Sequence, residues 1–158
     1  WTGSHWHTFA SVPPDSDSDP WVRFRVDNID GNSITPSTDY RLRVTAFNNY
    51  GNSDPSNELV VRSAPARPSN VRVTNITATE ATFRWNDNST DEDGFLALYE
   101  RWANGGYTES KNATTGANDT SKRVRDLQPH SKYRVRVRST RQPDARSGYS
   151  DAVEFWTP

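Results

Sequence analysis

The sequence predicts an all-β chain organised as a tandem of small antiparallel β-sandwiches. Short runs in which apolar and polar residues alternate follow one another, separated by Asn, Asp, Gly and Pro. No window shows the 3.6-residue period of an amphipathic helix. The chain also contains an internal repeat, because residues 34–44 and 127–137 share an apolar residue, a proline and a Tyr-Arg-apolar-Arg-Val run. The segments lie 93 positions apart, which is close to the length of one small sandwich.

The repeated segment has a mechanical interpretation at both of its occurrences. Proline fixes the backbone of a turn, and the tyrosine four residues later begins a strand from which its hydroxyl can hydrogen-bond back to that turn. The sequence therefore predicts two structural corners, one at Pro36 and Tyr40 and the other at Pro129 and Tyr133.

On these corners and on further matching positions, the chain resembles the fibronectin type III family of immunoglobulin-like β-sandwiches. The resemblance implies an extracellular or cell-surface interaction module, but it implies no particular partner, because this fold hosts many functions. The integrin-binding Arg-Gly-Asp tripeptide is absent from the sequence. The further matching positions are Pro68, Val71, Trp85, Gly94, Phe95, Leu127, Val135, Val137 and residues 153–158, together with residues 51–53 and 55–59 in the first half.

The family pattern is complete only once, and this sets the expected domain boundaries. We expect residues 1–63 to be the C-terminal part of a fibronectin type III-like domain, residues 64–67 a proline-containing linker and residues 68–158 a complete domain. The prolines around the linker favour a stiff connection. The strands expected in the shorter domain are 5–12, 21–26, 40–48 and 58–62.

The alternation of apolar residues predicts the core of the complete domain. Ala81, Phe83 and Trp85 share one face of a strand. The next strand, from 95 to about 102, is ambiguous because both of its faces are apolar; the resemblance favours Phe95, Ala97 and Tyr99 inside, and a bulge would reconcile the other set, Leu96, Leu98 and Trp102. The remaining expectations are turns and a weak edge strand over 103–122, a short strand over 124–127, and inward-facing Tyr133, Val135, Val137, Val153 and Phe155.

Composition excludes several function classes. The formal net charge is −1, which gives no global field for nucleic acid. The chain has no cysteine, so it has neither disulfides nor thiolate metal ligands. No apolar stretch approaches the ~18 residues of a membrane helix, so we expect no membrane insertion within this segment.

The sequence also lacks a constellation for catalysis. The three histidines are His5, His7 and His130, and no serine or glycine-rich motif of an enzyme accompanies them. His5 and His7 share a strand face, and we interpret them as exposed rather than as metal ligands. Two acidic loops, 15–19 and 87–91, could attract calcium, but the second lacks the glycine of an EF-hand. We therefore predict no enzymatic activity, no cofactor and no metal.

An arginine stripe is the most distinctive candidate surface. Arg134, Arg136 and Arg138 alternate outward on one strand, and Trp102 and Trp156 are expected on the same sheet face. Guanidinium groups stacked on indoles gain roughly 0.5–1 kcal/mol per exposed contact. The arrangement is similar to the tryptophan–arginine ladder of cytokine-receptor fibronectin domains. It predicts either a structural ladder that rigidifies the sheet or a binding face for an acidic or glycan partner.

Four N-glycosylation sequons lie in the second half, and they would be acceptors in a eukaryotic secretory protein. Their number is close to what the Asn, Ser and Thr content gives by chance. The asparagines are Asn75, Asn88, Asn112 and Asn118.

These observations favour a non-catalytic extracellular spacer or protein-interaction module within a larger secreted or cell-surface protein. A second hypothesis is a filament or sheath subunit, whose short first domain is completed by strands of a neighbouring copy. A third is an accessory glycan-binding module, in which Trp6, Trp102 or Trp156 stacks on sugar rings. A protein partner or a neighbouring copy is the expected partner, and a glycan is the alternative.

Overall fold

The computed structural model describes Trp6, Thr8, Ser11, residues 28–29 and residues 32–158. The chain divides into two compact units, residues 1–63 and residues 64–158. Every described element is a β-strand, which confirms the all-β prediction. The expected strands 5–12 and 21–26 lie largely or wholly outside the described residues.

The second unit is a sandwich of two antiparallel sheets. Its strands are β7 (Ser69–Thr74), β8 (Ala81–Asn86), β9 (Gly94–Ala103), β10 (Gly106–Thr114), β11 (Ser121–Val124), β12 (Lys132–Arg141), β13 (Ala145–Arg146) and β14 (Val153–Trp156). One sheet has the order β11-β8-β7, and the other has the order β10-β9-β12, with β13 and β14 each pairing with a different part of β12.

The core lies between the inner faces of these sheets, where the alternation predicts it. The inward residues of β8 are almost completely buried, and so are those of β12. On β9 the predicted inner set is buried, while Leu96 and Leu98 are half-buried and Trp102 is 44% exposed on the opposite face. Aromatic rings join the sheets, because Phe83 contacts both Tyr99 and Phe155 with centroids 5.5 and 5.8 Å apart. Val153 is half-buried at the margin of the core.

The hairpin after β9 differs from the expectation. Residues 106–114 form a nine-residue edge strand rather than a weak one, and it pairs with β9 along its whole length. The bulge suggested for β9 does not occur there, because the register of β9 with β12 is unbroken; a bulge lies instead on β10, between Tyr107 and Glu109. The overlooked signal is the pair Asn104 and Gly105, whose φ angles of 54° and 83° form the tight two-residue connection. The short strand expected over 124–127 lies at 121–124 instead.

Residues 65–68 pack against the rest of the second unit. Pro65 and Pro68 are buried, and the buried Ser139 hydroxyl donates a hydrogen bond to the carbonyl of Ala66 at 2.6 Å. The Asn88 side-chain amide donates to the carbonyl of Arg67 at 2.9 Å. The assignment of residues 64–67 to a linker stays a prediction.

The described part of the first unit contains six short strands. The expected strand 40–48 is divided, because only its two ends have ladder partners: β3 pairs with β6, and β4 pairs with β5. The strands are β1 (Asn28–Ile29), β2 (Asn32–Ser33), β3 (Asp39–Leu42), β4 (Phe47–Asn48), β5 (Gly51–Asn52) and β6 (Leu59–Arg62).

Serine side chains connect strand and loop where that first-unit strand is interrupted. The amide of Val44 donates to Ser56 Oγ while the amide of Ser56 donates to the carbonyl of Val44. Ala46 and Ser53 form the same reciprocal pair. The serine hydroxyl therefore replaces one partner of a ladder hydrogen bond and holds the backbone extended.

The same hydrogen bonds recur in the second unit. Val137 pairs reciprocally with Ser150, and Ser139 pairs reciprocally with Ser147. The tyrosine hydroxyls repeat as well, because Tyr40 accepts from the amide five residues before it at 2.9 Å and Tyr133 does so at 2.8 Å. The two units thus share a backbone pattern displaced by 93 or 94 residues.

Candidate functional site

The arginine stripe lies on the outer face of the sheet β10-β9-β12-β14. Register decides which side chains meet there, because directly opposed residues of an antiparallel pair share a face. We call this surface the ladder face. Its residues are Tyr107 on β10, Glu100 and Trp102 on β9, Lys132, Arg134, Arg136 and Arg138 on β12, Tyr149 in the loop before β14, and Glu154 and Trp156 on β14.

An aromatic row crosses one end of the ladder face. Tyr107 pairs with Trp102, and Lys132 pairs with Trp156. Lys132 Nζ lies 5.6 Å from the ring centroid of Trp102, and the rings of Trp102 and Tyr107 meet edge to face at 5.0 Å. Trp156 is 63% exposed. Two exposed indoles therefore flank a lysine on three adjacent strands.

Glu100 organises the centre of the face although it is 7% exposed. Arg134 donates two hydrogen bonds to its carboxylate, from Nε at 2.6 Å and from Nη2 at 3.1 Å. Arg136 Nη2 donates at 3.4 Å, and so does the hydroxyl of Ser110. Hydrogen bonding from Arg134 holds the pKa of Glu100 below its usual range, against the opposing effect of burial. The carboxylate therefore stays charged and fixes two guanidinium groups.

A second carboxylate joins the aromatic row to its lysine. Glu154 Oε2 lies 2.8 Å from Lys132 Nζ, and the hydroxyl of Tyr107 donates to Glu154 Oε1. Hydrogen bonding from Lys132 lowers the pKa of Glu154, and the same pair raises the pKa of Lys132. The pKa of the Tyr107 hydroxyl is raised, mainly because the group is removed from water and next because it is hydrogen-bonded to Glu154. At neutral pH the Glu154 carboxylate and the Lys132 ammonium therefore stay charged, and the Tyr107 hydroxyl stays protonated.

Tyrosines, rather than tryptophans, stack on the arginines. The guanidinium of Arg134 lies 4.2 Å from the ring centroid of Tyr107. Those of Arg136 and Arg138 lie 5.0 and 4.6 Å from Tyr149. The expectation that indoles hold the arginines is corrected, because the register places Trp156 beside Lys132 instead.

The structure brings the five sequence-predicted residues to one face. It also adds Glu100, Lys132, Tyr107, Tyr149 and Glu154, which the sequence interpretation omitted. Alternation along β12 could have placed Lys132 on this face, because Lys132 lies two residues before Arg134. Tyr149 carries no strand pattern, since it lies in a loop between β13 and β14.

The other candidate residues lie elsewhere. The sequon asparagines are all exposed; Asn75 and Asn118 have positive φ, and Asn112 lies opposite Leu98 on the β10 edge. In the loop 87–91, Ser89 donates to Asp87 from its backbone amide and to Asp91 from its hydroxyl, and Asp91 also accepts from Arg141 outside the loop. The loop 15–19, His5 and His7 lie outside the described residues, and His130 is exposed.

Two features are absent from the part of the chain that the structure describes. No helix there is long and apolar enough to cross a membrane. Within the same residues, no group of three or more His, Cys, Asp or Glu side chains is placed to hold a metal ion.

Comparison with known proteins finds similarity to contactin-2 and to a segment of tenascin. Human contactin-2 is 29% identical over 143 residues, covering 86% of this chain, and rat contactin-2 is 31% identical over 136 residues, covering 77%. The chain spans 13% of the length of either relative. A two-domain fibronectin type III segment of chicken tenascin superposes with a TM-score of 0.57 at 19% identity, covering 80% of this chain and 67% of that segment; this likeness concerns the fold alone.

The family model of the fibronectin type III domain matches residues 66–156, which is more than half of the chain. The match spans β7 to β14 and includes every residue of the ladder face. It agrees with the two-sheet sandwich of the second unit and with the hydrogen-bonded tyrosine of its corner. The chain therefore belongs to the fibronectin type III domain family.

Proposed function

We propose that this chain is a non-catalytic protein-interaction module of a larger secreted or cell-surface protein, and that it binds its partner through the ladder face. The observation that carries the proposal is the exposure of Trp102 and Trp156, at 44% and 63%, on a surface whose arginines are already held in place. Membership of the fibronectin type III family and the similarity to contactin-2 support an interaction role.

The composition of the face is that of a binding hot spot. Tryptophan, tyrosine and arginine dominate the residues that contribute most to binding energy at protein interfaces. The ladder face presents two tryptophans, two tyrosines and three arginines on one side of a sheet. Glu100 and Tyr149 fix the arginines before any partner arrives, so binding would order few side chains. A partner would therefore meet a preorganised surface.

A screen against extracellular protein domains tests the proposal. The 158-residue chain, biotinylated and tetramerised on streptavidin, is applied to a panel of purified ectodomains, and the affinity of each hit is then measured. We expect at least one hit, and we expect Trp156→Ala to weaken its binding by at least about tenfold, the usual effect of removing a hot-spot tryptophan.

The matched control is Arg84→Ala. Arg84 is exposed on β8, on the outer face of the opposite sheet. Both variants should keep a free energy of unfolding within about 0.5 kcal/mol of the parent, because both change exposed side chains. The proposal is wrong if no ectodomain binds, or if Trp156→Ala and Arg84→Ala have the same effect on binding.

We further propose that residues 1–63 form the C-terminal part of a second fibronectin type III domain, followed by the linker 64–67 and a complete domain at 68–158. The serine-mediated hydrogen bonds that recur after 93 or 94 residues support this division. Expression of residues 64–158 alone tests it. A single cooperative unfolding transition is expected, and a fragment that fails to fold would contradict the boundaries.

A second candidate function is assembly with neighbouring copies. Exposed apolar residues in the first unit favour it, because Val44 is 74% exposed while Val137, at the equivalent position, is fully buried. Likewise Val61 is 40% exposed, and its equivalent Phe155 is 6% exposed. Strands of another copy could cover such residues. Light scattering coupled to size exclusion decides, because assembly requires oligomers that grow with concentration, whereas a steady monomer rules it out.

A further inference from the structure

The charges of the ladder face are balanced at one end only. Near the aromatic row, Lys132 is neutralised by Glu154. In the centre, Glu100 is shared by Arg134 and Arg136. On the ladder face itself cations outnumber carboxylates, because Glu100 and Glu154 are already engaged by three cations and Arg138 follows them along β12.

Two arginines beyond that point have no carboxylate partner among the residues that the structure describes. Arg138 lies on β12, and Arg146 on β13 is paired opposite Thr140, so both arginines belong to the same sheet face. Among the described residues, no carboxylate oxygen lies within 4.0 Å of either guanidinium group. Asp144, in the turn between β12 and β13, makes no ion pair with them. Because Arg146 lies opposite Thr140, which is two residues after Arg138, the two arginines are about 7 Å apart along the strand direction.

The guanidinium of Arg138 is also held in position. It stacks on Tyr149 at 4.6 Å, and its Nε atom is buried without a hydrogen-bond partner among the described residues. The neighbouring Arg136 has the same two features, a contact with Tyr149 and a buried Nε. Stacking thus fixes the plane of each group while the terminal nitrogens supply the remaining donors.

We propose that Arg138 and Arg146, with Tyr149 supporting Arg138, form a binding site for the carboxylates of an acidic segment in the protein partner. We call it the loop-end site. The proposal rests on the proposed function, since it assigns a chemistry to one end of the same interface. A planar guanidinium fork matches a carboxylate bidentately, and a fork held in position loses little entropy when it binds.

An acidic peptide fits this site better than a sulfated polysaccharide does. Polyanions derive their affinity from many neutralised charges along an extended basic surface. Here the chain carries a net charge of −1, and only two arginines on the face lack carboxylate partners among the described residues. Two adjacent carboxylates would pair with these two guanidinium groups.

Titration of the ¹⁵N-labelled 158-residue chain with capped hexaglutamate, followed by NMR, tests the loop-end site. We expect the backbone amides of residues 138 and 146 to shift, with no shift on titration with capped hexaglutamine. Arg138→Gln should weaken hexaglutamate binding by about fivefold or more, the effect of losing one charge-assisted pair. Arg84→Gln is the control, because it removes the same charge from the opposite sheet.

Three results would overturn the loop-end site. The first is the absence of shifts at residues 138 and 146 with hexaglutamate. The second is equal weakening by Arg138→Gln and Arg84→Gln, which would indicate diffuse electrostatic attraction. The third is binding of a sulfated hexasaccharide at these residues where hexaglutamate does not bind. If ectodomain binding still depends on Trp156 in any of these cases, the loop-end site fails while the proposed function stands.

Discussion

Replacement of Glu100 by glutamine is the sharpest test of how the ladder face is built. The substitution keeps the size of the side chain and one acceptor oxygen but removes the charge that Arg134 and Arg136 share. Removing one partner of a fully buried ion pair costs about 3–5 kcal/mol. The two arginine side chains are 30% and 32% exposed, so water can solvate them after the change. We therefore expect a loss of about 1–3 kcal/mol in unfolding free energy at pH 7.

The stability that Glu100 contributes should depend on pH in a defined direction. The pKa of Glu100 is lowered in the folded protein, so its contribution to stability is fully present above the ordinary glutamate value of 4.5 and is lost as the pH falls through the lower folded pKa. The stability difference between the parent and Glu100→Gln should therefore be largest at neutral pH and shrink in acid.

Urea denaturation followed by tryptophan fluorescence measures both quantities, because Trp85 is buried in the core and reports unfolding. Glu109→Gln is the control, since Glu109 is 54% exposed and its partner is Arg101; we expect a smaller loss of stability than for Glu100→Gln, because water screens an exposed ion pair. Equal stability of Glu100→Gln and the parent at pH 7 would refute the reasoning, and so would a difference that persists unchanged in acid.

Three further predictions concern the fold. Gly94→Ala should lower the unfolding free energy by about 1–3 kcal/mol in urea titrations, because its Cβ would lie 2.1 Å from the backbone oxygen of Thr115; an unchanged midpoint would contradict the close approach. Tyr133→Phe should cost about 1–2 kcal/mol by the same assay, since it removes the hydrogen bond from the Gln128 amide and keeps the ring; a neutral effect would mean that the corner contributes nothing. Acid titration monitored by circular dichroism should show a loss of stability below pH 4.5, because several paired carboxylates have lowered pKa values; constant stability down to strong acid would contradict those pairs.

The sandwich was predictable from the sequence because its core follows strict alternation. The sequence shows that Phe83 and Trp85 on β8 point inward, because polar residues alternate with them and only one face of the strand is apolar. β9 could not be assigned from alternation alone, since both of its faces are apolar, and the family resemblance was needed to choose between them. The length of β10 was missed because a solvated edge strand needs few apolar residues.

The ladder face was predictable in part. Arg134, Arg136 and Arg138 reveal their common face through the period of two residues along β12. Which aromatic residue stacks on which cation depends on the register between strands, and a strand's own sequence does not contain that register. Tyr149 reaches the face from a loop, and Glu100 is a charged residue on an outer face that is nevertheless buried, so neither follows from a strand pattern.

The most direct test of the ladder face as a binding surface is NMR of the six tryptophan indole N–H groups, with and without the ectodomain identified by the screen. The proposal predicts that the signals of Trp102 and Trp156 shift or broaden on binding, while the signal of the buried Trp85 stays in place. If Trp102 and Trp156 are unchanged while amides on the outer face of β8 respond, the partner binds the opposite sheet and the ladder serves only to rigidify the fold.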